Sequence, residues 1–209
     1  ITEITSLKKI SWQKFIESAQ LAQAMAYQNR TEFWRSSFPK NSGALVWVFN
    51  TPWPTVSWEL VDWYGMPNAA YYFMKRTYEP LHILARFPHF VWQNGEKFSG
   101  DIMVINDSNR IKRGLTAEVQ MLNSHFKKIA HKVVKVKPLI ASGIPLTVGS
   151  LECSLDSKNP DALFYLLVLL RQKNGDILSR SYYCLRTSNY LNDPKMKKDY
   201  REHPRQGFV

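Results

Sequence analysis

Between Ser11 and Phe38 the apolar residues Trp12, Phe15, Ile16, Ala19, Ala22, Met25, Ala26, Phe33 and Trp34 recur largely at spacings of three and four, with no internal Gly or Pro. A helix turning every 3.6 residues gathers such positions onto one stripe, so the pattern predicts a long amphipathic helix. Ser11 can accept from an orphan backbone N–H at its start, and Pro39 stops it. After Asn41-Ser42-Gly43, positions 44 to 49 form a short apolar run without polar alternation, which suits a strand covered on both faces as in a parallel barrel. Helix, short turn and buried strand make an α/β half-unit. A further helix is expected from Asn68 to Tyr78, ended by Pro80.

Beyond Pro80 the period shortens. Leu81 to Trp92, Gly100 to Asn106, Leu115 to Leu122, Ile129 to Val136, Leu146 to Cys153, Ala162 to Arg171 and Ile177 to Leu185 read as strands, separated by turn signals such as Asn94-Gly95 and Asn174-Gly175. Short strands at this spacing with no helix between them predict an immunoglobulin-like β-sandwich. The clearest hairpin joins Phe164–Arg171 to Leu178–Leu185 across residues 172–176. The fold class expected is therefore mainly β, a sandwich preceded by a helix-strand-helix segment. Its parts are residues 1–79, a sandwich over 80–190 and a polar, basic tail over 191–209. The first part is too small to close a core of its own.

Composition narrows the picture. A chain of 209 residues that is 44% hydrophobic and 13% aromatic is globular. No apolar run is long enough to span a membrane. The start, Ile1-Thr2-Glu3-Ile4, has neither an initiator Met nor a signal pattern and reads as a cut inside a longer protein. Lys and Arg outnumber Asp and Glu by 28 to 17, a formal charge of +11 that invites a nucleic-acid partner. The arrangement speaks against one. Lys127, Lys128, Lys132, Lys135 and Lys137 alternate with apolar residues as on a strand with a solvated face, without interleaved aromatics for base stacking.

Cys153 and Cys184 each fall in a strand-like stretch, as two buried thiols or one bridge. His82, His89, His125, His131 and His203 have no metal-ligand spacing, and neither a Gly-rich phosphate loop nor a Gly-x-Ser-x-Gly elbow occurs. No metal and no cofactor is expected.

Trp47, Trp53, Trp58 and Trp63 crowd together beside Asn50, Pro52, Pro54, Asp62, Tyr64, Gly65 and Pro67. Exposed indoles on a loop after a buried strand suit carbohydrate, whose C–H faces stack on aromatic rings while its hydroxyls bond Asn and Asp. Tryptophans stapling two layers are the structural alternative. The stretch from Gly43 to Trp58 (Gly-Ala-Leu-Val-Trp-Val-Phe-Asn-Thr-Pro-Trp-Pro-Thr-Val-Ser-Trp), followed by Asp62 to Tyr72 and by Glu79-Pro80-Leu81-His82-Ile83, closely resembles the end of the catalytic barrel in family 2 glycoside hydrolases of the β-mannosidase and exo-β-glucosaminidase group. The preceding helix, with residues 19–24 and 32–35, is also similar to that group. Continuous similarity runs from about Phe15 to Ile83.

That resemblance implies that residues 1–79 are the C-terminal end of a (β/α)8 barrel, with Ala44 to Phe49 as the eighth strand and Trp47 at the end where barrel active sites are built. Trp47 would form part of the wall of the −1 sugar subsite, with Asn50 and Trp53 shaping the loop beside it. In the family the two catalytic Glu residues stand on the fourth and seventh barrel strands, ahead of this chain's first helix. None of Glu32, Glu59, Asp62 and Glu79 matches a catalytic motif. A retaining glycosidase needs two carboxyl groups about 5–5.5 Å apart, so this stretch is expected to be inactive alone. Its implied partners are carbohydrate substrate in the full-length protein and the upstream barrel and sandwich domains of the same polypeptide. Periplasmic or secreted placement follows from the family. Val48-Phe49, Thr51 and Asn68 depart from the usual family residues, so mannoside and glucosaminide both stay open. An alternative is a carbohydrate-binding sandwich, for which Phe87, Phe90, Trp92, Tyr182, Tyr183 and Tyr190 would have to be exposed.

Overall fold

The computed structural model describes residues 11–158 and 162–188, so the tail expected at 191–209, with Tyr190 and His203, lies outside the described residues. Two units divide between Glu79 and Pro80.

In the first unit, α1 (Trp12–Arg35) begins where Ser11 Oγ accepts from Lys14 N at 3.2 Å. It stops short of Phe38 because the hydroxyls of Ser36 and Ser37 both donate to Phe33 O, at 3.0 and 2.7 Å, and compete with the helical ladder. The second helix, α2 (Ala69–Thr77), is capped by Asn68, whose side chain accepts from Tyr71 N at 3.3 Å. The helices are tied by Thr31 Oγ1 to Met74 Sδ (3.7 Å) and by the Arg35 guanidinium to the carbonyls of Thr77 and Glu79. Between them lies a small core of Ala24, Leu60, Ala70, Phe73 and Met74. The face that α1 buries is largely polar, with Ser18, Gln28, Thr31 and Glu32 inside, while Trp12, Ile16 and Leu21 are exposed.

One expectation fails here. Residues 44–49 are not a strand: the segment is irregular, and the single parallel bridge beside it runs from Asn50, one residue further on, to Val61. A strand exists only by pairing, and no neighbouring strand flanks this segment among the described residues. Its carbonyls are met otherwise. Ala44 O accepts from Tyr78 Oη at 2.9 Å, and Phe49 O accepts from Leu60 N and Val61 N. Nor is the run covered on both faces. Val46 packs on the small core, but Leu45 is 98% exposed.

The second unit is a β-sandwich. One sheet has the order β1-β3-β6, from β1 (Leu81–Arg86), β3 (Lys97–Asn106) and β6 (Leu146–Ser154). The other has the order β2-β8-β7-β4-β5, from β2 (Val91–Trp92), β8 (Ile177–Thr187), β7 (Leu163–Arg171), β4 (Thr116–Asn123) and β5 (Lys128–Lys135). The run expected as one strand from Leu81 to Trp92 is two. Pro88 cannot donate to a ladder, and the chain changes sheets across it, β1 pairing antiparallel with β3 and β2 parallel with β8. The predicted hairpin is β7–β8, its turn closed by Gln172 N to Asp176 O (2.9 Å) with Gly175 at φ 91°.

Alternation fills the space between the sheets. Phe164, Leu166, Val168 and Leu170 of β7 point inward with Ala117, Val119 and Met121 of β4, against Phe98, Ile102 and Val104 of β3. Gly100 also faces inward, where a Cβ would lie 2.8 Å from the Phe98 ring. Side chains of β8 then clasp the backbone of β1: Ser181 Oγ donates to Ile83 O (2.7 Å), Ser179 Oγ accepts from Ile83 N (3.1 Å) and Tyr183 Oη accepts from Ala85 N (2.9 Å). Both cysteines are free. Burial pushes the Cys153 thiol up to about 11 and raises that of Cys184, which keeps both protonated.

Candidate functional site

The aromatic loop is built from the two helices of the first unit. Tyr27 of α1 donates its hydroxyl to Trp58 O at 2.7 Å and lies 3.5 Å from Trp47 O, so one phenol fixes the backbone under two of the indoles. Burial raises the pKa of that phenol, which stays a donor. Gln23 Nε2 donates to Glu59 O at 3.3 Å, and the Asn68 amide donates to the same carbonyl. Asp62 Oδ1 accepts from Tyr64 N and Met66 N, both at 2.9 Å, in a tight turn that needs Gly65 at φ 78°. The peptide between Trp47 and Val48 is cis.

These ties anchor the loop's backbone and leave its rings outside. Trp47 is 78% exposed and Trp53 62%; Asn50, Trp58 and Trp63 are exposed as well. The three residues expected to touch sugar thus share one loop and are all solvent-accessible. The carboxylates have local work instead. Glu32 accepts from Gln28 Nε2 at 3.1 Å inside α1, and Asp62 organises its turn. Among the described residues no group of three His, Cys, Asp or Glu is placed to hold a metal ion, and no helix is long and apolar enough to cross a membrane.

Most aromatics proposed for a sugar-binding sandwich turn inward. Phe87 packs its ring against those of Phe90, Tyr183 and Phe98 at separations of 5.0–5.7 Å, and Trp92 packs on Phe98 at 5.3 Å, at the end of the core where β1 gives way to β2. Only Tyr182 of that set, among the described residues, is exposed. Sequence reasoning missed Phe126 and Tyr165, whose rings stack on the outer face of the five-stranded sheet. The signal available was the turn Asn123-Ser124-His125-Phe126, which puts an aromatic where a polar residue or Gly is usual.

By architecture the chain is a β-sandwich preceded by a short helical unit that carries a solvent-exposed tryptophan loop. Its resemblance to the exo-β-glucosaminidase and β-mannosidase group of family 2 glycoside hydrolases extends over most of its length. It is 26% identical over 167 residues to the exo-β-D-glucosaminidase of Hypocrea jecorina, an alignment covering 79% of the chain and 17% of that protein. It is 26% identical over 193 residues to the mannosylglycoprotein endo-β-mannosidase of Lilium longiflorum, covering 90% and 18%. The crystal structure of the Amycolatopsis orientalis exo-chitosanase superposes with a TM-score of 0.60 at 23% identity, over 84% of this chain and 20% of that one, and shows that the fold is shared. The chain therefore spans less than a fifth of the length of these curated relatives. No protein-family model matches it.

Proposed function

We propose that the chain is the C-terminal part of an exo-acting, retaining β-glycosidase of family 2. The full-length protein hydrolyses the O-glycosidic bonds of β-mannosides or β-glucosaminides outside the cytoplasm. In this reading residues 44–49 complete the barrel as its eighth strand once the upstream strands are present to pair with them. Trp47 forms a wall of the −1 subsite, Asn50 and Trp53 shape the loop beside it, and the catalytic carboxylates come from upstream barrel strands. The sandwich buttresses the barrel and this stretch alone is inactive.

The observation that carries the reading is the inverted burial of the first unit. Apolar residues of segment 44–49 and of α1 face solvent, while α1 buries Ser18, Gln28, Thr31 and Glu32. Exposed apolar surface of this extent marks an interaction site, and relatives several times longer supply a natural source for what covers it. In the full-length enzyme, Trp47→Ala lowers kcat/KM on an aryl β-mannoside or β-glucosaminide on the order of a hundredfold, the penalty of a misplaced sugar. The 209-residue chain by itself turns over neither. Turnover by the isolated chain, or a Trp47→Ala enzyme as active as its parent, would sink the proposal.

A further inference from the structure

The sandwich core accounts for the inner face of the five-stranded sheet and leaves its outer face to be explained. Strand register places Tyr165 opposite Cys184, and Leu167 opposite Tyr182. Tyr165 and Tyr182 are therefore diagonal neighbours on one surface. Phe126, in the β4–β5 turn, lies over Tyr165 with ring centroids 4.9 Å apart and planes 16° from parallel. Phe126 as a residue is 68% exposed, and Tyr182 is 39% exposed.

Phe126 sits at φ 58°, a left-handed conformation that a bulky side chain adopts only when its surroundings impose it. The turn does impose it. Asn123 Oδ1 accepts from His125 N and Lys127 N, both at 3.0 Å, and Asn123 O accepts from Phe126 N at 2.9 Å. A strained turn that holds a phenylalanine out into water gains nothing for the core, and such outliers gather at ligand-binding sites.

Beside the aromatic strip lies a polar one. Glu118 accepts from Arg171 Nε at its Oε2 (2.8 Å) and from Gln120 Nε2 at its Oε1 (2.5 Å), and His131 Nε2 lies 3.1 Å from the same Oε1. Flat apolar rings next to fixed amide, imidazole and guanidinium groups are what a pyranose chain needs, with C–H faces on the rings and hydroxyls on the polar groups.

We propose that this outer face, centred on Phe126, Tyr165 and Tyr182, binds a neutral β-linked polysaccharide chain. The site is distinct from the tryptophan loop and does not depend on the barrel reading. Arg180 shares the surface, opposite Leu169, and Lys135 lies opposite Thr116 at its other edge. These cations repel a protonated amino-sugar polymer and leave an uncharged one unopposed.

Calorimetry of the whole 209-residue chain with mannohexaose, and with the fully deacetylated glucosamine hexamer, tests this. Mannohexaose binds at least about tenfold more tightly than the amino-sugar hexamer. Phe126→Ala and Tyr182→Ala each weaken mannohexaose about tenfold, and Phe126→Trp retains it. Phe126→Gly, for which the left-handed backbone is unstrained, keeps the wild-type circular dichroism and loses binding as Phe126→Ala does. Failure of the wild-type chain to bind mannohexaose, or equal binding by Phe126→Ala, overturns the proposal. So does a change confined to oligomeric state in Phe126→Ala, which would make the face a protein interface.

Discussion

The two units handle their aromatic residues in opposite ways. Past Pro80, Trp92, Phe98, Phe164 and Tyr183 are buried in the core between the sheets, and polar residues such as Lys97, Ser99 and Asp101 of β3 and Glu118 and Gln120 of β4 take outer positions. Before it, Trp47, Trp53, Trp58 and Trp63 are outside and four polar residues of α1 are inside. Both units have regular secondary structure, and the two helices of the first are capped, so local folding does not explain the contrast. What differs is closure. The sandwich supplies both of the layers that its apolar faces need, whereas the first unit makes one side of a core and presents the rest.

The contrast is broken most strongly at Phe164. Its ring is fully buried between the sheets, and Phe164→Ala removes the largest contact of β7 while leaving a cavity. Chemical denaturation should show a loss of about 3–5 kcal/mol in the transition of the sandwich. The comparable deletion in the other unit, Trp47→Ala, changes the stability of the isolated chain by no more than about 0.5 kcal/mol, since an exposed side chain leaves neither cavity nor stranded polar group. If the two deletions proved equal, the difference in closure would not exist in solution.

A smaller effect sharpens the account of how the sandwich closes. Its sheets are joined by the hydroxyls of β8 gripping the backbone of β1 at Ile83 and Ala85. Ser179→Ala leaves the buried Ile83 N–H without its acceptor, and about 1–3 kcal/mol of stability goes with it. Faster amide exchange at Ile83, measured by NMR, locates the loss. No matching clasp is made by the tryptophan loop, whose side-chain ties run from Tyr27, Gln23 and Asn68 to carbonyls near its surface.

How far the fold can be read from the chain follows the same division. Both helices and every strand of the sandwich but β2 are legible as periodicity because the partner that buries each apolar face lies in the same chain. The β7–β8 hairpin is visible in Asn174-Gly175, and Ser11 announces the first helix. The split of the first strand depended on Pro88, a missing donor that an apolar count overlooks. Segment 44–49 is irregular here because an apolar run predicts burial without saying what does the burying, and no strand flanks it among the described residues. The tryptophan loop was legible by composition and by resemblance. Phe126 and Tyr165 were not, since stacking between a turn and a strand is a tertiary contact with no sequence period.

The smallest effect concerns charge, and it again separates the units. Burial acts to raise the Glu118 carboxyl, and hydrogen bonds from Arg171, Gln120 and His131 overcome it, so the group is held below its ordinary value of 4.5. A carboxyl depressed by folding contributes stability that is fully present above that ordinary value and is lost as pH falls through the lower, folded one. Acid unfolding of the sandwich should therefore steepen below pH 4.5, and Glu118→Gln should flatten that limb by an amount on the order of 1 kcal/mol or less, as befits a partly solvated ion pair. Glu17 offers the control in the other unit. Its pairing with Lys14, at 3.3 Å between side chains more than half exposed, is the kind that solvent screens, so Glu17→Gln makes little difference to stability. An equal response to both substitutions would mean that the network around Glu118 is no better organised than a surface pair, and that order on the outer sheet face comes from the rings alone.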